Sequence, residues 1–248
     1  MSESVEKRGA GCARMLAVQA AAYAVFIVVA LLLSAVSGPM SETVVYGLAA
    51  VALIVLVVFH VCWPFRAGLA DRIIGVVAGL LSLVFVSTTL GEKLVPANEK
   101  IMNDALLRNT YPMMCWAAAV AGLLVLLTVV SFGRQMLREE RSHLIRALSH
   151  CVTGGAASIS LAGWAFLPYV VTAGQFAKAE VITTKFVVLV VAMIMAALLL
   201  AYASVFWMKE LDPAEDAREP WIGVAMLPVM LFGLVVFAVA LLIQVVGW

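Results

Sequence analysis

Charge is what this chain has least of. Only 12% of its 248 residues are Asp, Glu, Lys or Arg, about half the share of an ordinary soluble domain. Seven stretches carry none at all: 15–37, 43–65, 73–91, 111–133, 151–177, 186–208 and 221–248. Hydrophobic residues make up 65% of the chain and mean hydropathy is +1.08, so these runs exclude a water-soluble fold. Each is about 19 residues or longer, enough to cross a hydrocarbon core of about 30 Å as a helix. Strict alternation of polar and apolar residues is missing too. That excludes barrel strands and leaves helices, whose backbones satisfy their own hydrogen bonds in lipid. The expected fold is all-α: a polytopic membrane protein, a bundle of about seven transmembrane helices.

The other shortages exclude functions. A net charge of +1 offers nothing to nucleic acid. Cys12, Cys62, Cys115 and Cys151 form no Cys-x-x-Cys pair, and single cysteines in such spans are small apolar fillers. Neither a disulfide nor a metal site is expected. No connection exceeds about twenty residues, which leaves no room for a soluble domain, and no internal repeat or low-complexity segment is evident.

Ion-coupled carriers and proton pumps need ionisable groups inside the bilayer. The spans hold one candidate polar group of that kind, His60, about a turn from the end of the second. His143 and His150 lie in a linker, so a haem held between two histidines is not expected, and the last span lacks a lysine for retinal. Ser158 lacks both a Gly-x-Ser-x-Gly frame and a histidine partner. Glu139-Glu140 is followed by Leu144 where a glutamate–arginine protease motif requires arginine. Asp212, Glu215, Asp216 and Glu219 form one acidic cluster, whereas Mg²⁺-dependent transferases acting on lipid diphosphates generally use two. No catalytic residue, metal or cofactor is expected from this set.

What is present is punctuation between spans. Residues 1–14, with Lys7, Arg8 and Arg14, form a cytoplasmic tail, and residues 15–248 form a single transmembrane domain. Phe59 to Arg66 is an aromatic cluster beside arginine, as helices show on surfacing at the headgroups. Gly75 and Gly79, then Gly154, Gly155, Ser158 and Gly163, are spaced for close helix packing where lipid supplies no hydrophobic drive between helices. In the 92–110 loop Pro96 breaks the chain and Asn98 caps a short amphipathic helix reaching about Arg108.

The 134–150 linker sets Arg134, Arg138, Arg141 and Arg146 beside an apolar stripe, and suits anionic headgroups. Pro168 and Pro228 should kink the fifth and seventh spans. Counting Lys and Arg by side puts eleven with the N-terminus and five opposite. The positive-inside rule then places the N-terminus in the cytoplasm and the C-terminus outside, in a plasma (inner) membrane.

A small helical protein nearly without buried charge fits a membrane subunit that works by packing. The expected role is an integral subunit of a larger membrane complex, transport-related or accessory, such as the permease part of an exporter with a separate ATPase. Arg138, Arg141 and Arg146 with Asp212, Glu215 and Asp216 would be its cytoplasmic docking surfaces. Its partners would be the lipid bilayer and other membrane or cytoplasmic subunits. Two alternatives stay open: a membrane enzyme or quinol-binding anchor with its chemistry near His60 or the 212–219 carboxylates, and a self-contained carrier or channel for a neutral solute.

Overall fold

A computed structural model describes residues 2–38, 41–65, 68–137, 144–176, 180–209 and 218–246, without the side chains of 2–10, 144–147, 174–176 and 180–183. The regular structure is helical throughout, with no strand among the described residues. The helices are α1 (Ser2–Ser37), α2 (Glu42–Val61), α3 (Leu69–Ser87), α4 (Leu90–Leu94), α5 (Glu99–Asn103), α6 (Ala105–Met136), α7 (Leu144–Ser160), α8 (Leu167–Phe176), α9 (Glu180–Lys209) and α10 (Pro220–Val246). A six-residue 3₁₀ segment, Leu161–Phe166, joins α7 to α8. Seven units are long and apolar enough to span a bilayer: α1 from Gly11, α2, α3, α6, the α7–α8 run, α9 and α10.

The bundle is built around α10. It touches α1, α2, α6, α7, α8 and α9, and about half of its residues are buried. The fifth span is the most enclosed, with 78% of its apolar window buried, whereas the corresponding window of α9 is 0% buried. One is core and the other periphery. Lipid tails are as apolar as leucine, so close packing holds such helices together. Trp63, Trp116 and Trp164 are each 1% exposed or less. Trp164 stacks on Phe26 with ring centroids 4.3 Å apart, and Trp116 packs on Phe166 and Phe237.

Backbones touch where the fifth and seventh spans cross. A Cβ on Gly163 would lie 2.2 Å from Gly233 O, and one on Gly233 would lie 2.1 Å from Ser160 O. Only glycine fits either position. The 3₁₀ segment follows from Pro168. That residue has no N–H for the Trp164 carbonyl, and its ring would crowd the same oxygen. The chain tightens, and the Leu167 N–H donates to Trp164 O instead. Proline acts here through the turn before it.

Several helix boundaries differ from the sequence expectation. α1 continues as helix through the polar residues 2–14. α3 begins at Leu69 and α6 ends at Met136, so Asp71 and Arg134 belong to helices and not to loops. The 134–150 linker is divided, its first residues finishing α6 and its last opening α7. In the outer loop, Asn98 accepts from Ile101 N at 2.9 Å and starts α5. That helix stops at Asn103 because Asp104 takes its own role, accepting from Leu107 N at 3.1 Å as the cap of α6. Tyr111 Oη donates to Val95 O at 2.7 Å and ties the loop down.

Candidate functional site

Polar groups gather at the end of the bundle where α2 and α6 leave and α3 and α7 begin. Asp71, in the first turn of α3, is 1% exposed. Its Oδ2 accepts from Gly68 N at 3.1 Å, closing the helix N-terminus. Its Oδ1 accepts from Arg134 Nη1 in an ion pair with the last turn of α6. A carboxylate at a helix N-terminus and a cation at a helix C-terminus each also complement the backbone dipole. Beside the pair, Ser131 and Cys151 are 3.2 Å apart, and Gln135 is 1% exposed.

His60 fills the adjoining gap between α2 and α3. It is 8% exposed, and its Nδ1 lies 2.9 Å from Leu56 O. The carbonyl can only accept, so this nitrogen carries the proton and Nε2 is left as the acceptor. Nε2 faces the bare backbone of Gly75, where a Cβ would come within 2.8 Å. Among the described residues, no partner lies within hydrogen-bond reach of His60 Nε2, Trp63 Nε1 or Arg72 Nε. His60 packs against Phe59 and Trp63, Trp63 against Phe65, and Phe65 stacks on His150 at 4.9 Å.

Glu219, at φ 44°, turns the chain into α10 and accepts from Trp221 Nε1. Burial pushes the Cys62 thiol above its ordinary pKa, and the charge of Glu219 adds to that.

The small residues line the walls of this end. Gly154 accommodates the Trp63 ring, since a Cβ would meet it at 2.4 Å, and Gly155 faces Leu127 at 2.6 Å. Gly79 faces Leu56 and Ser158, and Ser158 Oγ donates to Gly154 O at 2.8 Å. Arg138, Arg141, Asp212, Glu215 and Asp216 lie outside the described residues, as does the side chain of Arg146 in α7.

Sequence inspection singled out His60 as the one ionisable group in the spans. It missed the Asp71–Arg134 pair, whose members are 63 residues apart and sit beyond the ends of the charge-free runs. Two further buried polar contacts were equally invisible. Ser204 Oγ is 3.3 Å from Gln19 Oε1. Ser82 accepts from Trp116 Nε1 at 3.2 Å while donating to Ile159 O at 2.8 Å. Chemically, the cluster offers one half-buried ion pair, one buried imidazole and one hydrogen-bonded thiol. No group of three or more His, Cys, Asp or Glu able to hold a metal ion occurs among the described residues.

Fold and site together define an integral membrane protein of seven helical spans, with an ion pair between α3 and α6 at one end. Comparison with known protein families, curated proteins and solved structures finds no match to this chain.

Proposed function

We propose that this chain is an integral subunit of a larger membrane complex, transport-related or accessory, such as the permease part of an exporter driven by a separate ATPase. The observation that carries the proposal is the outer face of α9. Val188, Met195 and Tyr202 are seven residues apart, and Val191 and Leu198 fall between them at the same interval. All five are exposed, by 51–65%. A seven-residue apolar repeat is the seam of a left-handed helix pair, the commonest crossing between membrane helices. On this reading a span of another subunit packs there, and the Arg138–Arg146 and Asp212–Asp216 segments meet soluble partners on the cytoplasmic side.

The test is gentle extraction of the tagged chain from its native membrane, with mass spectrometry of what accompanies it. A stoichiometric partner is expected, and its recovery should fall severalfold when Val191 and Leu198 are both changed to Trp. A chain that comes out alone and unaffected by those changes would remove the proposal.

A carrier for a neutral solute is the second reading. Its support is the meeting of the 3₁₀-interrupted fifth span with α10, which stays helical through Pro228, where Trp164 Nε1 donates to Val229 O at 2.8 Å. Flux of uncharged solutes into liposomes containing the purified chain alone distinguishes it.

A further inference from the structure

Between α3 and α6 the outer surface of the bundle carries an open groove of about 180 Å³. Ala78 and Leu127 form its floor, at 7% and 3% exposed. Ile73, Val77, Leu126 and Val130 form its rims, at 40–53% exposed. Every lining side chain is apolar. The α3 wall runs from Ile73 to Leu81, a rise of about 12 Å. A transmembrane helix is about 10 Å across with its side chains and would overfill the space many times. A single hydrocarbon chain fits it.

The groove has a charged mouth. Leu126, Val130 and Arg134 recur at four-residue intervals on α6, so they form one row along the helix. Arg134 leans over Gly68 and pairs with Asp71, yet its side chain remains 28% exposed. Asp71 cannot reach outward, since it is 1% exposed and both its oxygens are engaged. Of the two partners, only Arg134 therefore keeps side-chain surface open to the outside. In the sequence, residues 66–72 and 134–146 together hold six Arg against one Asp and two Glu. Their net charge is positive, and basic pockets between spans select anionic headgroups.

We propose that this groove binds an anionic phospholipid, one acyl chain lying between Val77 and Val130 and the phosphate resting on the outer edge of Arg134. Guanidinium and phosphate match in geometry as well as charge. The site depends on the spanning fold and not on assembly with other subunits.

Native mass spectrometry of the full chain, offered dioleoyl phosphatidylglycerol and dioleoyl phosphatidylcholine in equal amounts, reads the site directly. The wild-type chain should retain phosphatidylglycerol about fivefold better, the effect of roughly one arginine at the membrane surface. Ala78→Phe fills the floor and should abolish that excess. Should the ring disturb folding, Val77→Trp covers the groove from its exposed rim and should do the same at an unchanged melting temperature. Asp71→Asn combined with Arg134→Gln should erase the headgroup preference while acyl-dependent retention persists.

Equal retention of the two lipids by the wild-type chain would overturn the proposal. So would a phosphatidylglycerol excess that survives both groove-filling changes, or a dimer of the chain that excludes both lipids from the groove.

Discussion

At the scale of single residues, Asp71 and Arg134 are the costliest groups to disturb. Their burial is unequal, 1% against 28% exposed, so the two single substitutions should differ. Arg134→Gln leaves a buried carboxylate without its cation and should destabilise by about 3–5 kcal/mol. Asp71→Asn leaves a guanidinium that water and headgroups still reach, and its amide oxygen can still accept from Gly68 N. A loss of about 1–3 kcal/mol is expected there. The double variant should lose less than the two singles summed, because neither charge is then stranded. Thermal unfolding of all four proteins in one detergent measures the cycle, and strict additivity would show that the pair does not act as a unit.

At the scale of elements, the crossing of the fifth and seventh spans is the tightest joint. Gly163→Ala and Gly233→Ala each put a methyl group against backbone oxygen at 2.2 Å and 2.1 Å, with no flexible side chain able to yield. Each should cost about 1–3 kcal/mol. Gly122→Ala is the control, since nothing lies within 4 Å of its Cβ position in α6. There the change should be neutral or stabilising by up to about 1 kcal/mol. A neutral or stabilising change at all three positions would mean that helix propensity, not contact, governs them.

The same elements show what could be read from the sequence. The seven spans were legible because charge is expensive in lipid, and uncharged runs of that length have few other uses. The 3₁₀ turn was not. It needs Pro168 to withdraw a donor and Gly233, 65 residues further on, to offer bare backbone for the tightened turn to meet. Asn98 signalled a helix start correctly, but the helix expected to reach about Arg108 stops at Asn103, because Asp104 caps the next one. The Asp71–Arg134 pair was hidden for a similar reason. Each residue looks like an ordinary charge at the end of a span, and only the packing of α3 on α6 turns them toward each other.

At the scale of the whole molecule, lysine and arginine are divided unequally between the two ends. The end with the ion pair carries eleven of the sixteen Lys and Arg, and cationic segments resist transfer across an energised membrane. We expect that end in the cytoplasm and the C-terminus outside. This requires seven full crossings, and the broken fifth span is the one that needs checking. α7, the 3₁₀ segment and α8 all lie against α10, so the chain follows its neighbour through the break and does not double back. Their combined length is about 50 Å, ample for one crossing of about 30 Å. Alkaline phosphatase fused after Trp248 should therefore be active, since that enzyme matures only outside the cytoplasm, while fusions between Arg138 and His143 should be inactive. Activity at the 138–143 junction with none at the C-terminus would invert the whole molecule. Inactivity at both would turn only the last spans, and would mean that the glycine crossing joins a re-entrant segment to α10.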